Sequence, residues 1–477
     1  MRKTKIVCTI GPASDNEEVL RKLMLAGMNT ARINFSHGSF KEQEGKINKI
    51  KKVREELNLP VALLLDTKGP EVRIGKFEDG EIFLKPGDTF ALIPEEIMGT
   101  QYEFSVSYKE LYKEVEPGDK LLIDDGLIEV EVITIKNTSV YCRVISGGKL
   151  TNRKSINLPG KKLKLPAMTD KDKDDILNGI KADFDYIAAS FIRSASDVNE
   201  IRAFLKENGG EDIKIISKIE NQEGVDNFDE ILDASDGIMV ARGDLSVEIP
   251  MARVPVIQKE FIRKTYLQGK VVITATQMLE SMINNPRPTR AEVSDVSNAI
   301  YDATSAIMLS GESATGKYPV ECVELMNEIA GETESSIKYW KRFLGRDYDL
   351  KHKGYRFNIY NGICVSAMNL NAKAILAYTV SGDTPGILSA FCPTCPVYAI
   401  TGSEKLTRQL NLEFNVYPML EKGKKNADQM IQSAIEKLLE EGKVEKGDTI
   451  IIAGGAAILP EMENSEINKV IGGIIKL

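Results

Sequence analysis

The sequence predicts an α/β protein: a closed (β/α)8 TIM barrel with an inserted all-β lid domain and a C-terminal α/β domain. Three observations predict this fold. Eight short β-like runs alternate with amphipathic helical segments, and a stretch of alternating runs between Gly, Pro and Asp turns interrupts them after the third. A separate group of strand and helix signals begins at about residue 350. An open doubly wound sheet is the alternative, but eight consecutive units favour closure.

The predicted barrel strands are short apolar runs, each followed by a helix except where the insert intervenes. The third, VALLLDTKG, is almost unbroken in apolar character, as expected for a parallel strand covered on both faces. The predicted strands are 3–11, 28–36, 61–69, 186–193, 213–220, 236–244, 270–278 and 305–311. The predicted helices are 16–27, 39–58, 170–183, 194–209, 221–235, 252–268, 289–304 and 320–335.

The change of pattern gives the domain boundaries. We expect residues 1–69 and 166–345 to form the barrel and residues 70–165 to form the β-rich lid after the third strand. Residues 350–477, with runs such as AKAILAYTVSG and DTIIIAGG, are expected to form the C-terminal, regulatory α/β domain.

Composition excludes several classes of protein. The net charge is −8 and basic residues form no block, which argues against nucleic acid as a partner. The chain has no apolar run of about 18 residues, so we expect no membrane span, and the start MRKTKIVCTIGPAS does not have the pattern expected of a signal peptide. Six scattered cysteines fit a reducing cytoplasm. Cys392 and Cys395 form one CxxC pair, which we interpret as two reduced thiols because a tetrahedral metal site needs more ligands.

The stretch IKIISKIE carries Lys218 and Glu220 two residues apart, on one face of a run that otherwise predicts a buried strand. Buried charges cost roughly several kcal/mol unless they are paired or bind an ion. A structural salt bridge at a strand end is the plain interpretation. The sharper hypothesis is a site where Glu220 holds a metal and Lys218 holds an anion.

Polar side chains collect at the carboxyl ends of seven of the eight predicted strands, where such barrels place their catalytic groups. Random surface charge would not collect at one end of every strand, so the pattern favours a site over a salt bridge. The residues are Arg32, Asn34, Ser36, Asp66, Thr67, Ser190, Lys218, Glu220, Arg242, Gly243, Asp244, Thr274, Thr276, Ser310 and Glu312.

These residues sort by chemistry. Glu220 and Asp244 are hard oxygen ligands on adjacent strands, which suits Mg²⁺ or Mn²⁺ rather than zinc. Arg32 and Lys218 are cations that indicate an anionic, phosphorylated substrate. The turn ARGDLS could hold a carboxylate or phosphate on its N–H groups. Together they indicate phosphoryl transfer or enolate chemistry.

A third set offers neutral oxygens and one carboxylate. That low charge suits either a monovalent cation or a hydrogen-bond network, and the residues alone leave both open. The set is Asn34, Ser36, Asp66 and Thr67.

At these residues the sequence closely resembles the pyruvate kinase family over residues 1–340. The matching stretches include TKIVCTIGPAS, MNTARINFSHG, LLLDTKGPEVRIG, SKIENQEGV, MVARGDLSVEIP and the highly specific TATQMLESMINNPRPTRAEVSDV. The C-terminal third matches more loosely. The resemblance implies a reaction of phosphoenolpyruvate with ADP that gives pyruvate and ATP, in a homotetramer of the cytoplasm.

The resemblance also implies residue roles. Glu220 and Asp244 would bind Mg²⁺, Lys218 would stabilise the migrating phosphoryl group, and Arg32 would contact the phosphate. Gly243, Asp244 and Thr276 would receive the carboxylate end of the substrate, with Thr276 near the carbon that gains a proton. The residues that match the potassium ligands are Asn34, Ser36, Asp66 and Thr67.

Further roles concern the nucleotide and the potassium requirement. Arg73 and Lys154 match nucleotide-phosphate contacts, with His37 near the nucleotide. Glu71 is the residue associated with potassium dependence, and the β insert matches the mobile lid. The sequence departs from the usual pattern at Ser246, Asp226 and Ala303, none of which is a predicted ligand.

The family's effector site corresponds to the loop TVSGDTPG, in which Thr379, Ser381, Gly382 and Thr384 could hold a phosphate. Asp383 places a negative charge there, and the basic stretch frequent in relatives is replaced at Phe391 and Cys392. Both loss and alteration of sugar-phosphate activation therefore stay open. Two rival hypotheses are a phosphometabolite sensor without turnover and another barrel enzyme of enolpyruvate chemistry.

Overall fold

The computed structural model describes residues 1–36, 38–351, 353–423, 426–454 and 471–476. The strands in chain order are β1 (Lys5–Thr9), β2 (Thr30–Asn34), β3 (Ala62–Asp66), β4 (Lys76–Phe77), β5 (Glu81–Leu84), β6 (Thr89–Ile93), β7 (Met98–Gly99), β8 (Glu103–Ser105), β9 (Lys120–Ile123), β10 (Ile128–Lys136), β11 (Ser139–Ser146), β12 (Gly148–Thr151), β13 (Ile156–Asn157), β14 (Tyr186–Ala189), β15 (Lys214–Ile219), β16 (Gly237–Ala241), β17 (Val271–Ala275), β18 (Ala306–Leu309), β19 (Ala374–Tyr378), β20 (Val397–Thr401), β21 (Val416–Leu420), β22 (Thr449–Gly454) and β23 (Ile471–Lys476).

The helices connect these strands and cover the sheets. They are α1 (Glu17–Ala26), α2 (Phe40–Glu56), α3 (Leu111–Glu114), α4 (Asp170–Lys181), α5 (Ala195–Glu207), α6 (Gln222–Asp226), α7 (Phe228–Ala234), α8 (Arg242–Glu248), α9 (Val254–Leu267), α10 (Arg290–Tyr301), α11 (Gly311–Ala314), α12 (Pro319–Ser336), α13 (Tyr339–Gly345), α14 (Tyr355–Asn369), α15 (Asp383–Ala390), α16 (Glu404–Leu410) and α17 (Ala427–Glu440). Two short 3₁₀ helices occupy Met251–Arg253 and Glu280–Ile283.

Eight parallel strands close into a barrel in the order β1-β18-β17-β16-β15-β14-β3-β2. The predicted (β/α)8 barrel is therefore confirmed, and the open doubly wound alternative is wrong because β1 pairs with both β2 and β18. The eight predicted strands correspond in order to β1, β2, β3 and β14 to β18.

Local capping explains where several barrel helices begin. Ser194 and Thr289 accept N–H groups from the first turns of α5 and α10, and they are the residues at which the two predicted helices begin. Thr169 and Asp172 form a reciprocal capping box on α4. The predicted single helix 221–235 is instead two helices, α6 and α7, that meet at Asn227.

The segment between β3 and β14 is β-rich, as predicted. Its main sheet has the order β13-β9-β10-β11-β6-β8, and two-stranded pairs β12-β5 and β4-β7 flank it. The rings of Phe77, Phe90 and Phe104 pack in its own hydrophobic core. This core is separate from the core of the barrel, so the segment forms a domain of its own.

The C-terminal domain is an α/β layer with strand order β21-β20-β19-β22-β23. Strands β19 to β22 are parallel, and β23 joins β22 in antiparallel register. Its two core clusters lie on the opposite faces of this sheet. All six cysteines are buried free thiols, including Cys392 and Cys395.

The C-terminal domain seals the lower end of the barrel. Leu412, between α16 and β21, is fully buried in the same cluster as the barrel-interior side chains Ile216, Met239 and Met308. We call the buried Leu412 side chain the plug of the barrel. Hydrogen bonds join the barrel to the residues near Leu412: the Tyr186 hydroxyl donates to Gln409 O at 2.6 Å, and Lys5 Nζ donates to Val416 O at 2.6 Å. The barrel floor is thus completed by a distant part of the chain. In the part of the chain that is described, no helix has the length and apolar character needed to cross a bilayer.

Candidate active site

The carboxyl ends of the barrel strands open into a cavity of about 260 Å³ beneath the β-rich lid. Arg73 and Lys154 of the lid and Asp244 and Glu248 of the barrel lie among its walls. Asn157 Nδ2 donates to Glu248 Oε1 at 2.8 Å, so the lid contacts the barrel directly across the cleft. Of the residues that the sequence analysis assigns to the site, Arg73, Lys154 and Asp244 line this cavity.

Lys218 lies at the centre of the cluster. Its Nζ atom is 3.1 Å from Asp66 Oδ1 and 2.9 Å from Glu220 Oε1, and it donates to Ser190 Oγ at 2.7 Å. Burial alone would lower the pKa of Lys218, but the charges of Asp66 and Glu220 raise it above the ordinary value. Lys218 is therefore a fixed positive charge within the site at the carboxyl ends of the strands.

Arg32 shares the same carboxylate. Its Nε donates to Asp66 Oδ2 at 2.6 Å, and its Nη1 donates to Thr9 Oγ1 at 2.8 Å. Burial would raise the pKa of Asp66, but the charges of Arg32 and Lys218 overcome that effect and hold the pKa below its usual value. One ionised carboxylate thus fixes both cations, which keeps their charges close together for an anionic ligand.

Glu220 is 1% exposed and has one oxygen without a hydrogen bond. Its Oε2 accepts the Phe191 N–H at 2.7 Å, whereas Oε1 touches Lys218 at an angle that makes no hydrogen bond. Burial and, more weakly, the charge of Asp244 raise the pKa of Glu220 to about 7 against the opposing effect of Lys218. Glu220 Oε1 is thus in an ion pair with Lys218 but makes no hydrogen bond, so this buried oxygen keeps acceptor capacity for a metal ion.

Asp244 completes a pair with Glu220 from the neighbouring strand end. Within the described residues, its carboxylate makes no hydrogen bond or ion pair. Those residues contain no group of three or more metal-ligating side chains. Two carboxylates fit Mg²⁺ or Mn²⁺, which commonly takes one or two carboxylates and completes its shell with water and substrate oxygens.

The third predicted set spans the ends of β2 and β3. Asn34 and Asp66 are register partners, and the Ser36 N–H donates to Asn34 Oδ1 at 2.9 Å. Thr67 Oγ1 accepts the Ser190 N–H at 3.1 Å. These residues lie at the ends of adjacent strands, and both options that the sequence leaves open stay open.

Ser190, which directly follows strand β14, connects two parts of the predicted site. Its hydroxyl accepts a hydrogen bond from Lys218 and donates to Thr67 O at 2.7 Å, so it links the Lys218 cluster to the third set. A lone serine at a strand end carries no distinctive sequence signal. Only its place at the same end as the charged residues could have identified it.

Thr276 and Gly243 face each other at the ends of β17 and β16. The Gly243 N–H donates to Thr276 Oγ1 at 2.8 Å, and that hydroxyl donates to Ala275 O at 2.7 Å. Gly243 and Asp244 belong to the short helix α8, which follows β16 directly. The structure therefore brings the predicted carboxylate-binding residues together with the Glu220 and Asp244 pair.

The predicted nucleotide residues of the lid are engaged in ion pairs. Arg73 donates to both carboxylate oxygens of Glu71 at 2.8 and 2.9 Å, and Lys154 Nζ lies 2.7 Å from Asp124 Oδ1. Both cations border the cavity under the lid. His37, the third predicted nucleotide residue, lies outside the described residues.

The predicted effector loop lies in the C-terminal domain, between β19 and α15. Gly382 has φ +94°, and its N–H donates to Thr379 Oγ1 at 2.9 Å, while Thr384 shares a hydrogen bond with Tyr360. The N–H of Asp383 contacts Ser381 Oγ at 3.5 Å. The Asp383 carboxylate pairs with Arg356 at 3.1 Å, so its charge is compensated within the domain.

Comparison with known proteins extends these findings. The chain matches the family model described as pyruvate kinase, barrel domain, over residues 1–323, and the one described as pyruvate kinase, alpha/beta domain, over residues 358–470. It is 50% identical over 456 residues to a pyruvate kinase of Clostridium acetobutylicum, covering 95% of this chain and 96% of the relative.

Two further matches agree. A pyruvate kinase of Staphylococcus haemolyticus is 50% identical over 461 residues, which cover 95% of this chain and 78% of that protein. The crystal structure of a pyruvate kinase from Cryptosporidium parvum superposes with a TM-score of 0.92 at 38% identity, covering 98% of this chain and 96% of that one. The chain therefore belongs to the pyruvate kinase family.

Proposed function

We propose that the barrel mouth transfers the phosphoryl group of phosphoenolpyruvate to ADP, the last step of glycolysis. The bond between phosphorus and the enol oxygen breaks, a bond from phosphorus to a terminal phosphate oxygen of ADP forms, and the enolate left behind takes up a proton to become pyruvate. The observation that carries this proposal is that Lys218 and Arg32 both pair with Asp66, while Glu220 supplies a second buried carboxylate next to Lys218.

The cations of this site would act on the phosphoryl group. Lys218 would lie against the migrating group and Arg32 against the phosphate, where their fixed charges stabilise the charge of the transition state. Because both side chains are already held by Asp66, little reorganisation is needed when the substrate arrives. Thr276 and the Gly243 N–H would receive the substrate carboxylate, with the Thr276 hydroxyl near the carbon that gains a proton.

Two carboxylates would hold the divalent ion. Glu220 and Asp244 are the proposed ligands of Mg²⁺ or Mn²⁺, which when bound supplies Lewis-acid polarisation of the phosphoryl and enolate oxygens. The proposed potassium ligands are the oxygens of Asn34, Ser36, Asp66 and Thr67. The proposal also associates Glu71 with the requirement for potassium.

The lid would hold the nucleotide and exclude water. Arg73, Lys154 and His37 are the proposed contacts to ADP and ATP, and lid closure would strengthen every charge interaction in the cleft by drying it. We also propose a homotetramer in the cytoplasm. The proposed effector site is the loop that contains Thr379, Ser381, Gly382 and Thr384. The carboxylate of Asp383, which pairs with Arg356, would repel a phosphate bound there.

A coupled assay tests this function. Phosphoenolpyruvate and ADP are titrated with Mg²⁺, with and without K⁺ and sugar phosphates, and pyruvate formation is followed. We expect turnover that requires nucleotide and K⁺. Binding of phosphoenolpyruvate without turnover would favour the sensor, and turnover without nucleotide would favour another enolpyruvate enzyme. Full activity without K⁺ would remove the potassium assignment.

A further inference from the structure

Arg242 is a buried cation at the barrel mouth for which the proposed mechanism has no task. It is the first residue of α8, directly before Gly243 and Asp244, and its side chain is 12% exposed. A guanidinium so largely removed from water needs several partners. Its partners show what it does.

The guanidinium joins three segments of the mouth. Its Nε donates to Ala275 O at 3.1 Å and its Nη2 donates to Thr276 O at 2.6 Å, which are two successive carbonyls at the end of β17. Its Nη1 donates to both carboxylate oxygens of Asp295 on α10, at 2.8 and 2.7 Å. The guanidinium of Arg242 is therefore held by the Asp295 carboxylate and donates hydrogen bonds to the backbone carbonyls of Ala275 and Thr276.

The backbone that it grips is strained. Thr276 has φ +69° and Gln277 has φ +53°, in the left-handed region. A β-branched residue is a genuine outlier there, and such conformations persist only where the surroundings over-determine them. The Gly243 N–H adds a restraint on the Thr276 hydroxyl, but Arg242 supplies the donors that hold the carbonyls on both sides of the Thr276 N–Cα bond.

We propose that Arg242 is a positioning residue for the reaction: clamped by Asp295, its guanidinium holds the Ala275–Thr276 backbone in the left-handed conformation that presents the Thr276 hydroxyl to the substrate. This inference rests on the proposed function of Thr276. The task needs the planar, multiple donors of arginine, which an ammonium group cannot reproduce. Arg242 acts through Thr276 and does not itself touch the substrate.

The first experiment compares Arg242→Gln and Arg242→Lys with the matched control Arg202→Gln. Arg202 also joins a carbonyl and a carboxylate, Ala234 O at 2.8 Å and Asp236 Oδ2 at 3.0 Å, but near the opposite end of β16. We expect both Arg242 variants to lower kcat by about 10²-fold, as displacement of a reacting group does, with KM for ADP unchanged. We expect the control to keep wild-type kcat.

The second experiment measures coupling to Thr276. If Arg242 acts through Thr276, Arg242→Gln should cost less than about twofold in kcat when it is added to Thr276→Ala, because the positioned group is already gone. An undiminished loss in the Thr276→Ala background overturns the inference, as does an Arg242→Gln kcat equal to that of the control.

A second anchor variant keeps the test decisive if Arg242→Gln does not fold, as judged by circular dichroism and gel filtration. Asp295→Asn leaves both donations to the carbonyls possible but removes the charge that clamps the guanidinium. We expect about a tenfold loss of kcat that Thr276→Ala again masks, and full additivity overturns the inference. Wild-type protein that fails to turn over phosphoenolpyruvate and ADP overturns the proposed function instead, so the two failures are distinguishable.

Discussion

Lys218 Nζ on β15 and Asp66 Oδ1 on β3 lie 3.1 Å apart, although 152 residues separate them in the chain. Asp66 also accepts the Arg32 guanidinium, so one carboxylate holds two cations at the floor of the cleft. The two positive charges would repel each other without it. Asp66 therefore allows the two cations of the site to lie close together.

Replacing Lys218 with Met tests the role of its charge. We expect kcat to fall by about 10²- to 10³-fold, or roughly 3–4 kcal/mol of transition-state stabilisation, because the migrating phosphoryl group loses its nearest fixed cation. Steady-state kinetics with saturating phosphoenolpyruvate and ADP measure this loss. The control is Lys259→Met, which removes an exposed lysine that pairs with Asp302. Equal kcat values for the two variants would contradict the prediction.

Replacing Asp124 with Asn tests whether the lid ion pair competes with the nucleotide. Lys154 lies 2.7 Å from Asp124, so a nucleotide phosphate must displace that carboxylate. A partly exposed pair contributes about 0.2–1 kcal/mol, so we expect KM for ADP to fall by a factor of about two to five with kcat unchanged. Glu129→Gln, which frees Lys120 on the lid surface, is the control and should leave KM unchanged. A KM that rises in Asp124→Asn would refute the competition.

We predict that the raised pKa of the buried carboxyl group of Glu413 makes the stability of the protein depend on pH. Burial raises its pKa from 4.5 to about 7, against the opposing charges of Lys214 and Lys5. The folded state therefore binds this proton more tightly than the unfolded state. Its contribution is fully present below about pH 4.5 and is lost as the pH rises to 7, at up to about 1.4 kcal/mol per pH unit.

Urea denaturation of wild type and Glu413→Gln at pH 5, 6, 7 and 8 measures this contribution. We expect the variant to gain stability relative to wild type between pH 5 and 7 and the difference to level off above pH 7. Burial lowers the pKa of Lys5 to about 7 against the opposing charge of Glu413, so the titrations of these two groups are coupled. Parallel stability curves over the whole range would rule out a raised pKa for Glu413.

Leu412→Ala tests the plug at the barrel floor. Leu412 is fully buried among interior side chains, so truncation leaves a cavity and should lower the free energy of unfolding by about 2–5 kcal/mol. Leu344→Ala removes a leucine that is 67% exposed and should change it by about 0.5 kcal/mol or less. Urea midpoints compare the two. A plug that contributed nothing would give the same midpoint for both variants.

The barrel was predictable because each strand and helix carries its own periodicity, and because strand ends collect at one rim. That argument alone selected Lys218, Glu220 and Asp244 as candidate site residues. What the sequence could not provide were contacts set by long-range packing. Leu412 is one leucine in a segment with no unusual pattern, and nothing local relates it to Ile216 or Met308.

The positive φ of Thr276 shows a different limit. Local rules assign threonine to extended backbone, whereas Thr276 has a left-handed φ and its carbonyl accepts a hydrogen bond from Arg242. The two helices α6 and α7 were likewise predicted as one, because their amphipathic pattern continues through Asn227. Both cases are decided by neighbours in space rather than in sequence.

Leu412 also bears on how the protein is made. A ribosome that has released all eight strands of the cylinder has not yet delivered the residue that closes its lower opening. Until the segment that contains Leu412 emerges, the apolar side chains at the lower end of the barrel are exposed to the surrounding solution. The lower end of the barrel is therefore closed only after a segment beyond its eight strands has been synthesised.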